Sequence, residues 1–96
     1  MRALLLVPLA IAFAGPAAAE PTLKCSIEGN KYSVVIVNSD GQDKQCSYNC
    51  NFATDGGNRI ISGSITVKAG ETKTADEGAP SFGKLTSVQS SKLDCK

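Results

Sequence analysis

The 96-residue sequence predicts an all-β domain, a small antiparallel β-sandwich of six or seven strands stapled by two disulfides. Three observations predict it. Apolar residues recur with a period of two in most of the chain, as on strands with one buried face. Turn-forming clusters interrupt this pattern about every ten residues, the spacing of short strands in a sandwich. Four cysteines follow a leader that looks like an export signal, which places them where disulfides form.

The leader comes first. Arg2 supplies a positive start, Ala3 to Ala14 form an apolar run interrupted by Pro8, and Gly15-Pro16 precede the small residues Ala17-Ala18-Ala19. This is the layout of a secretory signal peptide over 1–19, cut after Ala19. The apolar run falls short of the ~20 residues of a membrane span. A single domain over 20–96, secreted or periplasmic and without a membrane span, is the expectation. Without Arg2 the chain carries nine basic and nine acidic residues, the lysines scattered singly. Neutrality gives no footprint for nucleic acid or an anionic membrane surface.

Thr22 to Glu28 alternates cleanly, with Leu23, Cys25 and Ile27 on one face. Gly29-Asn30 is a two-residue hairpin signal, because both residues tolerate positive φ. Lys31 to Asn38 follows, and its β-branched centre Val34-Val35-Ile36-Val37 predicts a central or doubly covered strand. Ser39 to Asp43 is a polar turn. From Gln45 to Phe52 or Ala53, Cys46, Tyr48, Cys50 and Phe52 share one face and Ser47, Asn49 and Asn51 the other. The Thr54-Asp55-Gly56-Gly57-Asn58 turn leads into a strand from Arg59 to Val67, where Gly63 predicts a bulge or a close backbone approach. Ala69-Gly70 turns the chain into a weak strand, Glu71 to Ala75. Asp76 to Gly83 reads as loop. Lys84 to Cys95 reads as the last strand, with a bulge or break near Val88 to Ser90, because Leu85, Leu93 and Cys95 share a phase that Val88 leaves.

The arrangement is similar to small immunoglobulin-like domains of exported bacterial proteins. The residues that carry the resemblance are Val34 to Asn38, the Cys46–Cys50 strand, and Ile65-Thr66-Val67-Lys68-Ala69-Gly70-Glu71-Thr72. The tryptophan that antibody domains bury is missing. A small Greek-key barrel is the alternative architecture.

Residues four apart on one strand lie roughly 13 Å apart, beyond the ~7 Å that a disulfide spans. Cys46 and Cys50 therefore do not bond each other. The choices are Cys25–Cys46 with Cys50–Cys95, or Cys25–Cys50 with Cys46–Cys95. The second is preferred, since antiparallel hairpins bring Cys25 towards the level of Cys50. Zinc is disfavoured because the spacings lack close C-x2-C pairs.

The chain has no histidine. This removes histidine acid–base catalysis, the Ser-His-Asp and Cys-His arrangements, and two-histidine copper sites. Ser81-Phe82-Gly83-Lys84 matches S-x-x-K, but that motif works at a helix start, and here it contains Gly83 and leads into a strand. Asp40, Asp43, Asp55, Asp76 and Glu77 lack calcium-loop spacing and read as turn residues. Cys46-x3-Cys50 is not the C-x-x-C redox motif.

These readings predict a non-catalytic module without cofactor or metal. It is expected to bind a protein, glycan or envelope component, or to serve a structural role. An inhibitor of a secreted hydrolase and a subunit of an exported fibre are the alternatives, the latter joined through an edge left open by Glu71 to Ala75. The candidate contact surfaces are Ser39 to Lys44, Thr54 to Asn58 and Asp76 to Lys84. The third is favoured, for Pro80, Ser81 and Phe82 in a Gly/Pro-rich connection.

Overall fold

The computed structural model describes residues 20–81 and 83–96. The predicted leader over 1–19 and the candidate contact residue Phe82 lie outside the described residues. The described strands are β1 (Thr22–Glu28), β2 (Lys31–Val37), β3 (Lys44–Thr54), β4 (Gly57–Val67), β5 (Thr72–Gly78) and β6 (Leu85–Cys95). They form two antiparallel sheets, β1-β2-β5 and β4-β3-β6. The chain makes a hairpin in each sheet, then returns β5 to the first and β6 to the second. The result is a two-layer sandwich. Among the described residues no strand pairs across the layers, so the barrel alternative does not hold.

β3 is the centre of its sheet. Cys46, Cys50 and Phe52 are fully buried and Tyr48 nearly so, whereas Gln45, Ser47 and Asn49 are exposed. Its alternation makes one face the inner wall of the sandwich. β2 is the centre of the other sheet, as its β-branched run predicts. Val34 and Ile36 point inward and are fully buried, while Val35 and Val37 remain half-buried on the outside. Val67 and Leu85 complete this core. Burying each such side chain is worth about 1.5–3 kcal/mol.

The bulge expected near Val88 to Ser90 is present. Asn51 pairs with Ser90 and Phe52 with Val88, so Gln89 is the extra residue. A second shift leaves Thr86 unpaired between Ser87 and Leu85. These two insertions return Leu85 to the inner face, where it is buried.

Two expectations are corrected. The segment from Asp76 to Gly78 is not loop: it continues β5, because a bulge at Ala75 lets the strand keep pairing with Tyr32, Ser33 and Val34. Gly63 marks neither a bulge nor a second backbone. It pairs in unbroken register with Tyr48, whose ring occupies the room a side chain would take. A Cβ at Gly63 would stand 2.6 Å from the Tyr48 hydroxyl oxygen and 3.0 Å from Cζ. Gly63→Ala is therefore expected to cost roughly 1–3 kcal/mol through overpacking. The Y48F/G63A double variant should recover about 1 kcal/mol of that as a coupling energy, read by urea unfolding of all four members of the cycle.

The disulfides are Cys25–Cys50 and Cys46–Cys95. Gln45 and Lys96 exchange both backbone hydrogen bonds at 3.0 Å, so the next pair, Cys46 and Cys95, is a non-hydrogen-bonded pair of the ladder. That is where facing Cα atoms come closest, here 4.0 Å. This bridge ties β6 to β3 within one sheet. Cys25–Cys50 instead joins β1 to β3 across the layers, with a Cα separation of 6.0 Å.

Asn38 is a polar residue in the core, fully buried just past β2. Its Nδ2 donates to the carbonyls of Gln42 (2.9 Å) and Val67 (3.0 Å), with that of Lys68 at 3.2 Å sharing a hydrogen. Its Oδ1 accepts from the Asp40 amide at 3.0 Å, and its own amide donates to Glu71 at 2.9 Å. One side chain thus fastens the β2–β3 connection to the β4–β5 turn.

Candidate functional site

Antiparallel hairpins send three connections to one end of the sandwich: Gly29-Asn30, Asp55-Gly56 and the segment from Ala79 to Lys84. The third contains the candidate contact residues. Pro80 is half-buried and Ser81 exposed. The structure ties the far side of this segment to both neighbouring turns. The Lys84 amide donates to Asp55 Oδ1 at 2.8 Å, and the Asp55 amide donates to the Lys84 carbonyl at 3.0 Å. The Leu85 amide donates to Asn30 Oδ1 at 3.0 Å. Gly83 makes the approach possible. Its φ of 132° is foreign to residues with a side chain, and a Cβ there would lie 2.7 Å from Asp55 Oδ1. Asp55 and Asn30 read as turn formers in sequence. Their second role, as clamps on a distant strand start, carries no local signal.

Beside this segment is a shallow groove lined by Glu28, Lys31, Tyr32, Ser33, Glu77, Gly78 and Ala79. Tyr32 anchors it. Its ring packs on Phe52 with centroids 5.7 Å apart and planes tilted by 48°, the inclined geometry that aromatic quadrupoles favour. Its hydroxyl donates to Asp76 Oδ1 at 3.4 Å. Burial pushes the Tyr32 hydroxyl up from its ordinary pKa, and the Asp76 carboxylate adds to the effect by charge and hydrogen bond. Tyr48 is raised too, by burial first and then by the same carboxylate. A phenol raised in the folded state is harder to ionise there than in the unfolded chain. Its contribution to stability is present in full below the unfolded pKa of about 10 and is lost as pH rises through the folded value. Alkaline unfolding should therefore begin above about pH 10, with phenolate absorption and loss of strand signal moving together. Asp76→Asn should bring phenolate formation to lower pH, and an unmoved titration would remove Asp76 from this account.

The other acidic turn residues also have structural partners. Asp40 accepts from the Gln42 amide at 3.2 Å and pairs with Lys44 at 3.5 Å, and Asp43 accepts from the Ala69 amide at 2.9 Å. The expected turn surface Ser39 to Lys44 is thus held from both flanks. Among the described residues no three or more histidine, cysteine, aspartate or glutamate side chains gather as metal ligands. No cysteine is free, and no described helix is long and apolar enough to cross a membrane. Comparison with protein families, with curated proteins and with solved structures found no match.

Proposed function

We propose that the mature chain is an exported, non-catalytic binding module of the periplasm or extracellular space. Its contact surface is the end of the sandwich that carries Pro80, Ser81 and the Tyr32 groove. The observation that carries this reading is the clamp at the far end of the β5–β6 connection, where Asp55 holds Lys84 and Asn30 holds Leu85 at the start of β6. A connection anchored at one end before binding has less conformational entropy to lose on docking, and it stands beside a groove with both charge signs and an aromatic floor. Two closed disulfides suit an oxidising compartment, and the leader-like 1–19 segment suits export. The strand order supports the immunoglobulin-like likeness: β1-β2-β5 stands in for strands A-B-E, and β3 and β6 for C and F, with β4 beside C.

The test is capture from envelope and medium extract on immobilised, oxidised protein. A P80G/F82S variant and a reduced, alkylated sample serve as controls. A partner held by the oxidised protein and lost from both controls supports the reading, and a hydrolase as that partner narrows it to inhibition. Equal retention by the P80G/F82S variant removes this end from consideration. A second reading, a fibre subunit, draws on the sheet edges that no described strand covers. It requires open-ended growth with concentration.

A further inference from the structure

Each sheet exposes two edge strands, and unpaired backbone groups on an edge are a template for another chain. Three of the four are blunted. β1 is short, carries Lys24 and Glu28, and lies against β6 under the Cys25–Cys50 bridge. β6 is broken by two bulges. β5, the edge that the sequence singles out, is short, bulged at Ala75 and charged at Lys73, Asp76 and Glu77. β4 has none of these devices. Its pairing with β3 runs without a shift from Gly57 to Val67, it contains no proline, and Arg59 is its only charged residue.

The direction of its free hydrogen-bonding groups follows from the ladder. Gln45 gives its amide and carbonyl to Lys96 of the β6 side. By alternation, Cys46, Tyr48, Cys50 and Phe52 bond to β4 through Ile65, Gly63, Ile61 and Arg59. Ile60, Ser62, Ser64 and Thr66 therefore turn their amides and carbonyls to the open edge. At the Thr66 end, Lys73 Nζ reaches the carbonyl at 3.5 Å. The same stretch carries Ile60, which is 59% exposed.

The sequence of this edge is nearly its own reverse: Ile60-Ile61-Ser62-Gly63-Ser64-Ile65-Thr66. We propose that β4 is a self-association surface, and that a second copy of this chain pairs with it antiparallel about a two-fold axis at Gly63. In that register Ser62 faces Ser64 of the second copy, Ile61 faces its Ile65, and Ile60 faces its Thr66. Arg59 faces Val67 of the second copy, so no like charges meet. Hydrogen-bonding residues meet hydrogen-bonding residues, which antiparallel pairing demands. Inner-face isoleucines meet each other, and outer-face hydroxyls continue the row begun by the Ser47–Ser64 contact at 3.1 Å. The product is a continuous six-stranded sheet, β6-β3-β4 joined to its symmetry mate. The contact is isologous, so it closes at two copies and does not propagate into a fibre. This inference does not rest on the binding-module reading.

The test is sedimentation of the oxidised 20–96 protein from about 1 μM to about 1 mM, the range of ordinary weak to moderate affinities. The expected result is a monomer–dimer equilibrium with no larger species. Two variants on the exposed outer face test the register. S62K/S64K sets lysine against lysine twice across the axis and should weaken dimerisation roughly tenfold or more, whereas S62K/S64E sets lysine against glutamate twice and should restore it. Hydrogen exchange gives an independent readout. The amides of Ile60, Ser62 and Ser64 should gain protection with concentration, while those of Ile61 and Gly63 are protected throughout. A monomer over the whole range, open-ended polymers, or equal weakening by both variants overturns the proposal.

Discussion

Full reduction of the oxidised 20–96 protein is expected to unfold it at room temperature. The two bridges close loops with sequence separations of 25 and 49. On the chain-entropy model these contribute about 3.5 and about 4 kcal/mol. The total stability expected for a chain of this size is about 4–12 kcal/mol. A loss of that size removes most of such a margin, and the core leaves little in reserve because a domain this small buries only ~60% of its unfolded surface. Circular dichroism with and without reductant measures it, and a persistent folded spectrum after verified reduction would contradict the argument. Removing one bridge at a time separates two effects. C25A/C50A deletes the only disulfide between layers, so β1 amides should lose exchange protection first. C46A/C95A frees the chain end, so protection should fall first at the end of β6. Each should lower the unfolding free energy by about 3–4 kcal/mol.

Asn38→Ala is expected to cost about 2–4 kcal/mol, a large effect for removing one amide. The variant removes a buried donor from the Val67 carbonyl and the part-buried partners of the Gln42 carbonyl and the Asp40 amide. Each orphaned group costs about 1–3 kcal/mol if it stays dry. Asn38→Asp keeps the shape but places a carboxylate against three carbonyl oxygens. Its folded pKa must rise well above the unfolded value of about 3.9. The sign is then the reverse of ordinary acid denaturation. The charge penalty is absent below about pH 3.9 and grows as pH rises through to the folded pKa. Denaturant melts of the Asp variant at low and neutral pH check this: the gap to the parent protein should narrow on acidification. A constant gap would mean that the site admits water.

The part of the fold legible in sequence rests on local alternation. Cys46, Tyr48, Cys50 and Phe52 share a face because side chains on a strand alternate, and no tertiary information is needed to read that. The same geometry forbids a Cys46–Cys50 bridge. The break in phase around Val88 is a local signal as well, and it marks the Gln89 bulge. The candidate contact residues Pro80 and Ser81 were legible as part of an unusual connection, but nothing local marks its fastening, since Asn30 lies 55 residues from Leu85 and Asp55 lies 29 from Lys84. Asn38 was hidden for a related reason. An asparagine at the end of a β-branched run looks like the start of a turn, and only the arrival of the β4–β5 turn above it makes it a buried hub.

The sequence by itself determined the class, the near-complete strand list and the exclusion of a Cys46–Cys50 bridge, because period-two patterning, turn chemistry and bond reach are properties of short segments; which of the two remaining cysteine pairings forms was decided by the packing of the layers. Tertiary structure alone decided which residue fills the gap over Gly63, why β5 runs on to Gly78, and which edge stays bare. Each of these depends on what stands opposite a residue on another strand. That is settled by how the two layers pack, through contacts between residues distant in the chain.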